Sequence, residues 1–203
     1  MKQKGQTLVE GIVAIFIIIV GIVSALILAM SAFSGSLESE GQVKATNFAR
    51  EALEVVRNVR DSNFLSRVDT GANFDDGLSY FYTKADFNEI TNQWTVVQLD
   101  NGTNFDPLNC SPSTCQLYYH PSTGVFSHNS ANGLATDYYR VLRFDKICRQ
   151  YITTGNLQII TDGSDCPEDY PLKVGIRVLA KVSWIEGNQT RTLMIEDRIF
   201  DWK

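Results

Sequence analysis

The four cysteines of this 203-residue chain are the first candidates for a chemical role. A thiolate can bind a metal, act as a nucleophile or form a disulfide, and an even number of cysteines in an exported domain is typical of disulfides. Of the three ways to pair them, we favour Cys110 with Cys115 and Cys148 with Cys166, because these pairs close short loops around turns that contain proline and glycine. A structural zinc site is the alternative, although no Cys-x-x-Cys pair is present.

An acidic segment is the second candidate. Carboxylates combined with loop carbonyl groups are ligands for Ca²⁺, and such a cluster is formed by Asp162, Asp165, Glu168 and Asp169. Their spacing differs from that of an EF-hand loop. The segment is therefore interpreted either as a calcium site or as a solvated acidic loop, and no other cofactor is expected.

Catalytic residues form no recognisable pattern in the sequence. The motifs of α/β-hydrolases, P-loop proteins, dinucleotide-binding proteins and zinc proteases are absent. The two histidines, His120 and His128, lie in a loop-rich stretch that also contains serines, and we expect both to be exposed. The chain is therefore predicted not to be an enzyme.

Charge and hydropathy exclude other classes of protein. A formal net charge of -5 provides no basic stripe for nucleic acid. Apolar residues make up 44% of the chain, and they are concentrated between Leu8 and Met30, where 19 of 23 residues are apolar. The rest of the chain still holds enough apolar residues for a core. A polytopic membrane protein and a disordered chain are both excluded.

The apolar stretch is long enough to cross a bilayer as a single helix. Residues 11–30 contain no ionisable group, and at about 1.5 Å per residue they span the hydrocarbon core. Lys2 and Lys4 precede the stretch, whereas the next basic residue is Lys44. This asymmetry predicts a cytoplasmic N-terminus and an exported remainder. The alternative, a cleaved secretory signal peptide, fits less well because its apolar core is usually only about 7–15 residues long.

Glu10 is a carboxylate at the edge of this apolar stretch, where an unpaired charge costs free energy. The uncharged run 11–30 is preceded by two lysines, Gly5, Gln6, a Thr-Leu-Val triplet and Glu10. This arrangement resembles the N-terminus of type IV pilins, type II secretion pseudopilins and competence pilins. In that family a short basic leader ends in glycine, and a glutamate is the fifth residue of the processed chain. Gly5 and Glu10 match this pattern, whereas Gln6 stands where an apolar residue is commonest.

The resemblance implies a structural subunit, a minor pilin or pseudopilin. Residues 1–5 would be a leader that a prepilin peptidase removes after Gly5, leaving Gln6 as the new terminus; whether Gln6 is then N-methylated stays open. The subunit would lie in the cytoplasmic (inner) membrane, meet an inner-membrane assembly platform, and enter an extracytoplasmic filament with other pilin subunits. Glu10 would pair with the free amine of Gln6 on a neighbouring subunit. The alternatives are a major pilin and a membrane-anchored extracytoplasmic binding domain that does not polymerise.

The helix that carries these residues is predicted to extend over 6–61, with the transmembrane segment at 8–30. Apolar residues recur every three or four positions after the apolar stretch, at Ala45, Phe48, Ala49, Ala52, Leu53, Val56 and Val59. The first proline of the chain is Pro107. Because many major pilins carry a proline within the hydrophobic helix, its absence favours the minor pilin or pseudopilin branch.

Residues 62–203 are predicted to form a β-rich head. The clearest pattern is a hairpin, in which alternating apolar residues from Val174 to Trp184 are followed by a polar turn and a second alternating run. The fold class is therefore α+β, a long N-terminal helix packed on a C-terminal antiparallel sheet. Loop-like insertions are expected at 101–113 and 121–132, and strands at 80–84, 93–99, 116–120, 138–147, 157–161, 173–185 and 190–200.

Overall fold

The computed structural model describes residues 4–70, 73–78, 81–88, 91–99, 105–110, 115–150 and 156–201. The chain divides into two compact units, Met1–Gln42 and Val43–Lys203. The first unit is helical throughout its described part, and the second contains the remainder of that helix with every described strand. From here on, the head means this second unit, Val43–Lys203. The predicted strand start at Tyr80 and parts of the predicted loop 101–113 lie outside the described residues.

One helix, α1, extends over Lys4–Thr70. In the first unit, the described side chains from Leu8 to Ser36 are all exposed. In the second unit the apolar positions spaced three and four apart from Ala45 to Val56 lie on one face and are buried, with Ala45, Ala49 and Ala52 fully covered. Val59 is partly buried against the same core. The predicted amphipathic half of the helix is thus the part that packs.

Eight strands of the described residues form one antiparallel sheet around a long central strand, β5. The strands are β1 Tyr82–Asn88, β2 Gln93–Gln98, β3 Gln116–His120, β4 Val125–Ser127, β5 Leu134–Arg149, β6 Leu157–Ile160, β7 Leu172–Glu186 and β8 Gln189–Phe200. Strand β7 pairs with one edge of β5, while β3, β1 and β6 pair with successive parts of its other edge. Three outer strands complete the sheet: β2 beside β1, β4 beside β3, and β8 beside β7.

The core of the head lies between α1 and one face of this sheet. Phe48 of α1 meets Phe126 and Tyr138 edge-on, with ring centroids 4.8 and 5.1 Å apart. Alternate residues of β5 and β7 complete the contact, and Leu142 and Val178 are fully buried. Each large apolar side chain buried in this layer contributes about 1.5–3 kcal/mol to the stability of the head. The α+β fold class, with helix on antiparallel sheet, is confirmed.

Two predicted boundaries are wrong. The helix ends at Thr70 rather than at residue 61, because Phe64 packs against the core and Arg67 forms an ion pair of 2.9 Å with Asp201. Part of the predicted loop at 121–132 is the short strand β4, which pairs with β3. Gly124, in the left-handed conformation at φ 72°, makes the turn between these two strands.

Candidate functional site

The apolar part of α1 carries most of the exposed large apolar side chains of the described residues. Its large side chains are roughly half to three-quarters exposed, from 48% at Val20 to 74% at Phe33. Exposed apolar patches of this extent usually mark sites that contact a membrane or another protein. This one N-terminal helix is long and apolar enough to cross a membrane.

The residues predicted to act in processing and assembly lie at the start of this helix. The backbones of Gly5 and Gln6 belong to α1, and Glu10 lies one turn beyond Gln6. The Glu10 side chain is exposed and forms no ion pair with any residue that the structure describes. Its neighbours one turn further along are Val13 and Ala14. A single carboxylate therefore borders an apolar helix surface, where an opposite charge on another molecule would stabilise it.

Both favoured cysteine pairs are disulfides in the structure. Cys110 is bonded to Cys115 and Cys148 to Cys166, each with Cα atoms 5.7 Å apart. The first bond lies beside Leu99 and Val141 in a small second core. The second ties the acidic segment after β6 to the central strand β5. Because all four sulfur atoms are bonded, no thiolate is left for the alternative zinc site.

The acidic segment does not bring its four carboxylates together. Asp162 accepts hydrogen bonds from the hydroxyl and the amide of Ser164, which lower its pKa. Asp165 turns instead to Lys146, whose ammonium lies 2.6 Å away and lowers the pKa of Asp165. Glu168 and Asp169 are exposed. Within the described ranges no three His, Cys, Asp or Glu side chains are arranged to hold a metal ion, so the calcium hypothesis gains no support.

The prediction that both histidines are exposed is wrong. His120 and His128 are 1% and 2% exposed, because the stretch between them is not an open loop but contains β4, which pairs with β3. The Nε2 atom of His120 lies 2.9 Å from the Asn129 carbonyl oxygen and 3.0 Å from the Ser127 hydroxyl. Ser127 is buried as well, so this serine and histidine are closed to a substrate.

His128 forms a buried polar pair with Asp86 of β1. The His128 backbone amide donates to Asp86 Oδ1 at 2.9 Å, and the ring Nδ1 lies 3.8 Å from the same oxygen. The pKa of His128 is lowered to about 4, chiefly by burial and to a lesser extent by the positive charge of Arg140, although Asp86 opposes the change. Burial alone would raise the pKa of Asp86, but its bonds to His128 hold that pKa well below the ordinary value. The pair is therefore a neutral imidazole beside a carboxylate at neutral pH.

Arg140 joins the helix to the sheet and was not identified from the sequence. Its guanidinium is fully buried and donates to the carbonyl oxygens of Phe48 and Ala85 at 3.0 and 2.9 Å. It also donates to Glu51 Oε1 at 2.8 Å. The sequence carries one signal of this role: Arg140 lies on the same side of its strand as Leu142, the side that is otherwise apolar and faces the helix.

These buried polar groups hold elements together, and the described residues contain no open nucleophile beside a base. The features that remain available to other molecules are the apolar part of α1, its Glu10 carboxylate and the surface of the head. No protein-family model, curated protein or solved structure matches this chain.

Proposed function

We propose that this chain is a structural subunit, a minor pilin or pseudopilin, of a type IV pilus-like or type II secretion-like filament. One observation carries the proposal: a single helix continues from an exposed apolar stretch with a carboxylate at its edge into the buried face of a disulfide-bonded head. An ordinary membrane anchor needs neither the carboxylate nor continuity with the head. A subunit that packs helix against helix uses both.

Association of subunits depends on packing rather than on catalysis. The exposed side chains of the apolar stretch cannot remain in water, since each costs about 1.5–3 kcal/mol there. In the membrane they face lipid, and in a filament they face the same segment of neighbouring subunits. The N-terminus lies in the cytoplasm before assembly, and the head is outside, where its disulfides form.

Glu10 supplies the register between neighbouring subunits. Cleavage after Gly5 creates a free amine on Gln6, and this amine on one subunit pairs with Glu10 of the next. In an apolar surrounding an unpaired carboxylate is costly, so only the axial offset that brings the two charges together is stable. Other offsets leave Glu10 buried without a partner.

The mass of the mature N-terminus tests the proposal. The chain is produced in cells that contain a prepilin peptidase and is analysed by intact-mass and N-terminal peptide spectrometry. Loss of residues 1–5 is expected, and a Gly5→Val variant is expected to retain them, while the matched helix variant Gly11→Val is cleaved normally. An intact leader on the wild-type chain in these cells would favour the membrane-anchored binding domain instead.

A further inference from the structure

A cleft of about 640 Å³ opens on the head between α1 and the start of β2. This volume is within the range of small-molecule sites in proteins. One wall is the part of α1 that follows Glu51, and the other is formed by the residues that enter β2, ending at Trp94. All of these residues belong to the second compact unit.

The polar side chains of this cleft have hydrogen-bonding capacity that the fold does not use. Asn58 and Ser62 extend from α1, and Asn92 and Gln93 face them from the β2 side. All four are exposed, and none forms a side-chain hydrogen bond with a residue in the described ranges. Three amides and a hydroxyl thus offer both donors and acceptors within one concave surface.

Apolar groups form the remaining surface of the cleft. Trp94 is half-buried, and its ring is held at 5.3 Å from the ring of Phe87. Val55 and Val59 of α1 line the cleft beside it. A rigid indole next to amide side chains can pack against a flat apolar group while the amides bond its polar edge.

The charges of the cleft are already balanced by the protein. Glu51 accepts from Arg140 at 2.8 Å, and Glu54 accepts from Arg57. Each carboxylate at the rim therefore has a guanidinium partner. A cationic ligand would have to compete with these arginines, and an anionic ligand would meet two carboxylates. The balance favours an uncharged ligand.

We propose that this cleft binds a neutral saccharide, with one sugar ring stacked on Trp94 and its hydroxyl groups bonded to Asn58, Gln93 and their polar neighbours. A pyranose ring has an apolar face of C–H groups and a rim of hydroxyls that both donate and accept. This combination matches one aromatic wall and a set of unused amides. The proposal does not depend on filament assembly, since every residue it uses lies in the head.

The test uses the full chain in a zwitterionic detergent without a sugar headgroup. The protein is applied to an array of neutral and acidic oligosaccharides, and the strongest neutral binder is then titrated by calorimetry. Asn58→Ala and Gln93→Ala are expected to weaken binding about fivefold to tenfold each, the effect of losing one hydrogen bond. Trp94→Phe is expected to weaken it further.

Matched variants separate the cleft from the rest of the surface. Asn47 is another exposed asparagine of α1, and Gln98 is another exposed glutamine of β2, and neither lines the cleft. Asn47→Ala and Gln98→Ala are expected to bind like the wild type. All four alanine positions are on the surface, so their thermal unfolding should be unchanged. Absence of saccharide binding by the wild type, preference for acidic saccharides, or equal binding by all variants would each overturn the proposal.

Discussion

In the proposed filament, Glu10 is the residue that would set the axial position of one subunit relative to the next. Its carboxylate has no ion partner among the described residues and lies beside a surface that other molecules must cover. We expect Glu10→Gln to reduce incorporation into filaments at least about tenfold, since loss of an ion pair in an apolar site is worth more than about 1.4 kcal/mol.

The measurement for Glu10 is the fraction of total subunit recovered in sheared filaments from cells with the assembly platform. Glu38→Gln removes the same charge from the same helix outside the apolar stretch and is the matched control. Incorporation of the Glu10 variant at the level of this control would remove the register role.

His128 should make the stability of the head depend on pH. The folded protein lowers the pKa of His128 to about 4, whereas an unfolded histidine titrates near pH 6.5. Between these values the unfolded chain binds the additional proton, so stability is complete above pH 6.5 and decreases as pH falls towards 4. Asp86, whose pKa is lowered, loses its contribution only at still lower pH.

The expected loss from His128 between pH 7 and pH 4 is about 3 kcal/mol. It is measured by urea unfolding of the full chain in detergent at a series of pH values. In the native protein His128 Nε2 lies 3.2 Å from the Arg140 carbonyl oxygen. The side-chain amide of a His128→Gln variant can donate the same hydrogen bond, but this amide does not titrate. The slope between pH 6.5 and 4 should therefore flatten in this variant, and an unchanged slope would assign the pH dependence to other groups.

At the level of elements, the two disulfides close loops of different length and should contribute differently to stability. Cys110 and Cys115 are five residues apart, and Cys148 and Cys166 are 18 apart. Since the entropy removed from the unfolded chain grows with loop length, double serine variants are expected to lose about 2 and about 3 kcal/mol respectively. The difference in unfolding free energy is measured by chemical unfolding of both variants under the same conditions. A larger loss from the shorter loop would show that native contacts near Leu99 outweigh chain entropy.

The elements differ in how far the sequence predicts them. The hairpin of β7 and β8 could be predicted because its alternation of apolar and polar residues persists over both strands. The end of α1 could not, because Ser62 and Asn63 resemble turn residues until Phe64 and Arg67 are seen to contact the sheet and Asp201. Strand β4 is only three residues long and depends on its partner β3. Tertiary contacts, absent from local sequence, decided both cases.

The candidate site is predictable to a similar extent. Glu10 stands out because it is a charged residue beside an apolar run, and the cysteines stand out because the residue type is rare and present in an even number. Arg140 and the pair of Asp86 and His128 do not, since their importance comes from burial between segments more than 40 residues apart in the chain. Burial of this kind appears only when the sheet is assembled. Buried polar residues are therefore the part of the head that the sequence predicts least well.

At the level of the whole molecule, the exposed apolar stretch and the buried core belong to different units of the chain. The second unit contains the whole core cluster and both disulfides, whereas none of the residues whose burial is described in the first unit, 8–36 and 38–42, is buried. A chain that begins at Glu38, one turn before the head, should therefore fold as a soluble monomer without detergent, because the exposed apolar stretch is removed and the core is intact.

Light scattering coupled to gel filtration, together with circular dichroism and thiol labelling, measures this outcome. A monomeric mass, a cooperative thermal transition and no reactive thiol are expected for the shortened chain. The full chain should remain in the detergent or membrane fraction. If the shortened chain aggregated or lacked a cooperative transition, residues 1–37 would be required for folding, and the helix could not be acting mainly as a surface for lipid and neighbouring subunits.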